Sequence, residues 1–297
     1  MGEFEPISLE HRALFDRGHA AEPTGSSGDS FGCVYLWGLL CQRNVAALGG
    51  RVGVEYLCPK GVFYNFPFGE GELAPAVEAL RQRAETRGVP LELRGLTPGQ
   101  KEALEAAFPG GFEYTDDRDN YDYICSVDEV ASLAGKKLHG KRNFCNRFEK
   151  SFSWSFLPIG PERIGECLTV HEEWLLERGN ENPEEDMAIR RMLREWEALD
   201  MVGGLLMADG KPIGFTAGER IAPDMVDIHF EKALSGFPGA YPMVAREFAR
   251  LVKTLLPEVR YLNREEDMGL DNLRKAKEEW HPAYLLEKST ARRRERQ

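Results

Sequence analysis

One order of secondary-structure signals is written twice along this chain, and that repetition most constrains its fold. In the first pass, the apolar-rich runs Asn44 to Leu48 and Arg51 to Leu57 flank Gly49-Gly50, a hairpin turn signal. Gly61 to Phe68 reads as a third strand. Phe68-Gly69-Glu70-Gly71 then turns into a helix with Leu73, Val77, Leu80 and Ala84 on one face, stopped at Gly88. Pro90 to Arg94 is a strand. Thr97 and Pro98 read as the N-cap and first residue of a further helix ending near Gly110, and Tyr121 to Ser126 closes the set. The second pass runs Gly203 to Met207 and Pro212 to Glu219 around Asp209-Gly210, then Met225 to Lys232 as third strand. Gly236-Phe237-Pro238-Gly239-Ala240 turns into a helix with Val244, Phe248, Leu251, Val252 and Leu255 at helical spacing. Val259 to Asn263, a helix over Leu270 to Trp280 and Ala283 to Glu287 complete it. Hairpin, strand, glycine turn, helix, strand, helix, strand, given twice, predicts an α/β (α+β) chain of two duplicated domains. Each is a mixed twisted sheet flanked by helices.

Further helices precede the second pass. Ile164, Leu168, His171 and Leu175 form one apolar face ending at Gly179. Asn182-Pro183 followed by Glu184, Glu185 and Asp186 supplies an N-cap, an N1 proline and acids at the positive end of the next. The boundary is expected near residue 130, giving domains 1–130 and 131–297, a natural division for a chain of 297 residues. A net charge of −11 excludes general nucleic-acid binding and leaves room for a local basic site. Met1 to Arg12 lacks the apolar core of a signal peptide, and no apolar run approaches the ~20 residues of a membrane helix. The expected location is cytoplasmic. Cys33, Cys41, Cys58, Cys125, Cys145 and Cys167 are scattered among apolar or aromatic neighbours, and the six histidines lack ligand spacing. Neither a disulfide nor a metal is expected. Pro23 to Ser30 matches no P-loop, with Asp29 or Ser30 as cap of the next helix, and Arg292 to Gln297 is expected to be disordered.

Several segments resemble a particular family. They are Gly135-Lys136-Lys137-Leu138-His139 with Lys141-Arg142-Asn143, Ile228-His229-Phe230-Glu231-Lys232-Ala233 and Tyr261-Leu262-Asn263-Arg264-Glu265-Glu266-Asp267. Leu273-Arg274-Lys275-Ala276-Lys277 through His281-Pro282-Ala283 continues the match. They resemble a soluble bacterial family related to the C-terminal domain of phosphatidylglycerol lysyltransferases and to peptidoglycan-bridge aminoacyltransferases. The resemblance implies two tandem GNAT-like (acyl-CoA N-acyltransferase) domains and transfer of an acyl or aminoacyl group to an amine. The co-substrate it implies is an acyl-CoA or an aminoacyl-tRNA, with no tightly bound cofactor, so the partners are an amine substrate and a tRNA. The usual acyl-CoA loop begins with Arg or Gln, which Gly236-Phe237-Pro238-Gly239-Ala240 lacks.

Strand alternation from Met225 to Lys232 places Val226, Ile228 and Phe230 on one face and Asp227, His229 and Glu231 on the other. Amine acylation needs a base for the nucleophile and a donor for the leaving group. Glu231 is the first candidate base and His229 the second, against a polar face salt-bridged to a neighbouring helix. Gly236, Gly239 and Ala240 stand where backbone N–H groups at a helix start can face a phosphate or oxyanion, against a turn that only requires glycine. Tyr241 is a candidate proton donor, against a packed tyrosine. Asn263 suits an amide carbonyl and Arg264 a carboxylate or phosphate, while Glu265, Glu266 and Asp267 suit a cationic group. From Lys136 to Lys150, Lys136, Lys137, Lys141, Arg142, Arg147 and Lys150 face one acid, Glu149. This is a patch for a phosphate-bearing ligand such as a tRNA end, against an ordinary basic helix with an apolar underside. The rival to a transferase is a duplicated, non-catalytic module holding a small anionic or nucleotide ligand at the same cleft.

Overall fold

The computed structural model describes residues 2–38, 41–179 and 182–294. They fall into two compact units. The first comprises Met1–Asp122, Glu266–Leu270 and Leu286–Gln297; the second comprises Tyr123–Glu265 and Asp271–Leu285. A single division near residue 130 is therefore replaced by one at 122/123, with two later segments returned to the first unit.

The first unit contains β1 (Glu5–Pro6), α1 (Arg12–Ala21), α2 (Phe31–Leu36), β2 (Gln42–Leu48), β3 (Arg51–Cys58), β4 (Gly61–Asn65) and β5 (Phe68–Gly69). α3 (Leu73–Thr86), β6 (Glu92–Leu96), α4 (Pro98–Ala107) and β7 (Phe112–Asp116) follow. Ser30 caps α2 by accepting from the Cys33 N–H, and Thr97 with Gln100 forms a capping box on α4. Leu80, Phe66, Leu93, Leu104 and Phe112 fill the core between the sheet and these two later helices.

The second unit carries β8 (Asp122–Ser126), α5 (Val127–Ser132), α6 (His139–Ser151), β9 (Trp154–Pro158), α7 (Ile164–Arg178) and α8 (Pro183–Arg194). β10 (Val202–Ala208), β11 (Lys211–Ala222), β12 (Met225–Ala233), α9 (Ala240–Leu255), β13 (Tyr261–Asn263), α10 (Asp271–Glu278) and β14 (Tyr284–Leu286) complete it. The last strand, β15 (Ser289–Arg293), returns to the first unit's sheet.

The two sheets run β1-β2-β3-β4-β6-β15-β7, with β5 on β3, and β9-β10-β11-β12-β13-β8-β14. The duplicated order is thus present, and each unit is a mixed α/β fold. Each sheet also takes one strand from beyond its own repeat: β15 sits between β6 and β7, and β8 sits between β13 and β14. Asp122–Ser126 therefore does not close the first sheet as expected. Arg292 and Arg293 are held in β15 opposite Glu113 and Phe112, so this part of the expected disordered tail is an ordered strand. The rest of that tail, 295–297, lies outside the described residues. No helix among the described residues is long and apolar enough to cross a membrane.

The expectation of no disulfide fails at one pair. β2 and β3 are in register Gln42↔Leu57, which brings Cys41 and Cys58 opposite each other with Cα atoms 4.4 Å apart, and their sulfurs are bonded. Spacing along the chain does not reveal this pair, because the hairpin register creates it. Cys33, Cys125, Cys145 and Cys167 are free.

Register also breaks in the second sheet. Ala217 faces Phe230 while Gly218 faces Ile228, so His229 is an extra residue in β12, a β-bulge. Val226, Ile228 and then Ala233 belong to the apolar cluster under α9, and a Cβ on Gly214, opposite Ala233, would meet Val244 of α9 at 2.9 Å. Lys232 turns the other way, to Glu185 of α8 and the Trp174 ring of α7. The bulge therefore shifts the alternation by one, and Glu231 shares the α9 face with Ala233. The expected single polar face of Asp227, His229 and Glu231 is split in two.

Gly218 makes this tight crossing, since a Cβ there would stand 1.9 Å from the Asp227 carbonyl oxygen. Gly218→Ala should cost about 1–3 kcal/mol, read as a melting temperature lower by several degrees, whereas Gly236→Ala, where a Cβ meets nothing within 4 Å, should leave it unchanged. Equal melting temperatures for both variants would mean the bulge is not packed as described. Thiol titration of the unreduced chain in denaturant should count four free thiols, and reductant should lower the melting temperature. A count of six would remove the Cys41–Cys58 bond.

Candidate functional site in the second unit

β12 and β13 pair in parallel only from Met225↔Tyr261 to Asp227↔Asn263. β12 then runs on to Ala233 while β13 ends. The strands part where β12 carries His229 and Glu231, leaving an opening at the carboxyl end of a parallel pair, where α/β sheets place ligands. α9 starts beside it, with Gly239 as N-cap at φ 94°.

On the α9 face, Glu231 accepts from Arg264 at 3.0 Å, both side chains being largely shielded from solvent. Arg264 also lies over the Trp280 ring, 5.1 Å from its centroid, and Lys141 of α6 lies over the same ring at 5.1 Å. Burial alone would push the guanidinium of Arg264 down, but the Glu231 carboxylate outweighs it and holds Arg264 above its ordinary value. Glu231 is thus an ion-paired carboxylate at the mouth of the opening.

On the other face His229 is fully enclosed. Its Nε2 lies 3.2 Å from Glu219 and its Nδ1 2.9 Å from Glu265, with an Asp227 oxygen 3.7 Å away. Burial would lower the imidazolium pKa. The hydrogen bonds to Glu219 and Glu265 and the charge of Asp227 outweigh that and raise it well above 6.5. With a carboxylate beside each ring nitrogen, the surroundings favour the imidazolium form, in which both N–H groups donate. By linkage, the stability this raised pKa contributes is complete below pH 6.5 and disappears as pH rises through the folded value. A protonated ring cannot accept a proton, so this setting does not suit His229 as the second candidate base. Asp227, His229 and Glu265 offer ligand atoms within 4.8 Å of one another, a spacing a metal ion fits. In the described arrangement the two ring nitrogens instead face Glu265 and Glu219.

The other predicted residues divide. Asn263 Oδ1 accepts from the Glu265 N–H at 2.7 Å and so holds Glu265 toward His229. The Ala240 N–H donates to the Phe237 carbonyl at 3.0 Å, which uses up one of the backbone donors expected to face a ligand. Gly239 is required by its left-handed φ and by the Phe144 carbonyl oxygen, 2.7 Å from where a Cβ would stand. The Tyr241 hydroxyl accepts from Trp174 Nε1 at 3.0 Å, and burial raises its pKa. Glu266 is separated from Glu265: it lines a cavity of the first unit, and Asp267 accepts there from Arg118 at 3.1 Å.

Along α6, Cys145 and Phe148 are buried against the core while Arg147 and Lys150 are exposed, as are Lys136 and Lys137 in the turn before it. Lys141 pairs with Glu279 at 2.9 Å, and Arg142 donates to the Leu133 and Gly135 carbonyls. A basic helix with an apolar underside is therefore present, and four of the six cations of the turn and helix face solvent. Glu219, at the other side of His229, was not among the expected site residues. Its place opposite Asp227 in the β11–β12 register is the signal that identifies it.

Comparison with known proteins bears on this arrangement. Residues 20–292 match the family described as phosphatidylglycerol lysyltransferase, C-terminal. A conserved protein of unknown function from Bacteroides thetaiotaomicron VPI-5482 shares 31% identity over 99% of this chain and 100% of its own, with a TM-score of 0.91. The C-terminal domain of a proposed lysylphosphatidylglycerol synthetase from Agrobacterium fabrum has the same fold at 13% identity and a TM-score of 0.69, over 97% and 93% of the two chains. L-PGS from Bacillus licheniformis does so at 14% identity and a TM-score of 0.64, over 99% and 94%. No curated protein matches the chain significantly. A match that spans nearly the whole chain shows its membership: it belongs to the phosphatidylglycerol lysyltransferase C-terminal family.

Proposed function

We propose that the chain is an acyl or aminoacyl transferase whose transfer site is the opening between β12 and β13. The observation that carries this reading is the pairing of two opposite devices at one level of that opening: the Glu231 carboxylate on one face and the His229 imidazolium on the other. In the reaction, an amine nitrogen attacks the donor's carbonyl carbon and Glu231 takes the proton it loses. The bond from that carbon to the leaving oxygen or sulfur then breaks, and the leaving group takes the proton back from Glu231, while the enclosed His229 acts only as a fixed positive charge behind the strand. Arg264 orients Glu231 through its hydrogen bond before substrate arrives.

The donor we favour is an aminoacyl ester on a tRNA end. The loop at Gly236 lacks the Arg or Gln that opens the usual acyl-CoA loop, and its Ala240 N–H is already engaged. The exposed cations of α6 and of the turn before it supply the local positive field a phosphate backbone needs on a chain of net charge −11. The family's name points to a lysyl group and to phosphatidylglycerol, so vesicles of that lipid belong beside an amine among the acceptors to be tried.

Two measurements test this reading. Lysyl-tRNA should be retained by the chain in a salt-sensitive manner while acetyl-CoA leaves the melting temperature unchanged. The reverse result would make coenzyme A the donor, and silence from both would favour a non-catalytic binding module. Glu231→Gln should lower turnover by about 10²–10⁴ with binding retained, and should also lower the melting temperature by a few degrees because Arg264 loses its counter-charge. Full activity in a stable Gln variant would remove Glu231 from the reaction.

A further inference from the structure

We propose that the first unit carries a ligand site of its own: a cavity that takes a small zwitterion, its carboxylate on Arg43 and its ammonium on Asp29. The cavity measures about 480 Å³, within the range of small-molecule sites, and all the residues that line it belong to this unit. It stands apart from the transfer reaction proposed above.

One wall is a four-layer stack built by strand register. Arg43 of β2 faces Tyr56 of β3, which faces Phe63 of β4. The Tyr56 and Phe63 rings stack 4.7 Å apart and within 8° of parallel, with Arg43 over the outer face of one and Arg94 over the other. Such stacking fixes a guanidinium while leaving its edge to bind a carboxylate. Most charges around the cavity are matched from within. Arg94 and Arg292 share Glu92 at 2.6 and 2.7 Å, and Lys288 sits 2.6 Å from Asp122. Arg43 differs: it donates to the Cys33 carbonyl, its Nε is buried without a hydrogen-bond partner, and no carboxylate pairs with it among the described residues.

Asp29 is the complementary case. It is only 5% exposed, and its Oδ2 accepts from two neutral groups, Thr24 Oγ1 at 3.0 Å and Gln100 Nε2 at 3.3 Å. No Lys or Arg pairs with it among the described residues. Around it stand His19 of α1, whose Nε2 is 3.0 Å from the Asp29 carbonyl, Glu22, Gln100 of α4, Lys288, and Tyr56 with Arg43 on the sheet. Burial pushes its carboxyl up to about 7; the bonds from Thr24 and Gln100 and the charge of Lys288 pull down against this, and Glu22 adds to it.

A half-buried cation and a buried acid, each without a paired counter-charge among the described residues, are costly in the cavity and are both relieved by one ligand of opposite polarity. An anion alone leaves Asp29 uncompensated, and an amine alone leaves Arg43 so. A zwitterion of α-amino-acid type satisfies both, with Tyr56, Phe63 and Tyr64 as the surface for its side chain.

Calorimetric titration of the full chain, with no acyl donor present, decides the matter. The probes are glycine, L-lysine and L-phenylalanine, with phenethylamine and 3-phenylpropionate as the two singly charged halves of the last. At least one amino acid should bind at about pH 8, and each half should bind about tenfold more weakly or worse than L-phenylalanine. Because the ligand's ammonium needs the ionised carboxylate, affinity should fall about tenfold per pH unit below 7 and be level just above it. Asp29→Asn and Arg43→Gln should each lose about tenfold or more while circular dichroism stays native. If Asp29→Asn does not fold, Arg43→Gln and the wild-type pH profile carry the test. Absence of binding by all three amino acids, halves that bind as well as the whole, affinity level from about pH 5.5 to 8, or binding untouched by Arg43→Gln would each overturn the proposal.

Discussion

The second unit's site depends on one extra residue in one strand. The bulge at His229 lets β12 present its polar side chains on two faces, which an unbroken strand cannot do. Before the bulge, Asp227 and His229 meet Glu219 and Glu265; after it, Glu231 meets Arg264 on the α9 side. Had the alternation held, an imidazole and four carboxylates would share one buried face, a concentration of negative charge without enough partners. The bulge divides that charge into two groups, each with its own cation. Gly218 allows it, because only a residue without a side chain can pass so close to the Asp227 carbonyl.

This division gives chemical content to the family membership. Fold and family leave the donor and acceptor open, since one fold can host many reactions. The geometry narrows the roles instead. A ring held as a cation between carboxylates can stabilise negative charge, and the acceptor of a proton must then be sought elsewhere in the opening. Glu231 is the carboxylate that the parting strands leave at its mouth. The exposed cations of α6 and the turn before it add a local positive field to this acidic chain.

Much of the architecture was legible in the sequence because local signals dominate it. Gly49-Gly50 and Asp209-Gly210 set the hairpins, Thr97-Pro98 and Asn182-Pro183 start helices, and the periodic apolar residues of α3 and α9 mark their buried faces. What was not legible depends on register or on distant pairing. A strand's place in a sheet is decided by partners far along the chain, so nothing near Tyr121 or Arg292 shows that β8 and β15 enter the other repeat's sheet. The Cys41–Cys58 bond is a product of hairpin register. The bulge escaped because alternation assumes period two, and no local residue type announces the slip. Among the site residues, the closeness of β12 to the end of β13 followed from the order of elements. The pairings of His229 with Glu265 and of Glu231 with Arg264, the part of Glu219, and the separation of Glu266 from Glu265 did not.

The charge state of His229 tests the central claim most directly. Nitrogen NMR of histidine-labelled protein, with the signal assigned by its loss in His229→Gln, reads the ring without reference to any substrate. The account predicts that both ring nitrogens stay protonated through neutral pH, with no titration near 6.5. A ring that is neutral, in a single tautomer, at pH 7 would contradict it, and the division of roles between His229 and Glu231 would fall with it.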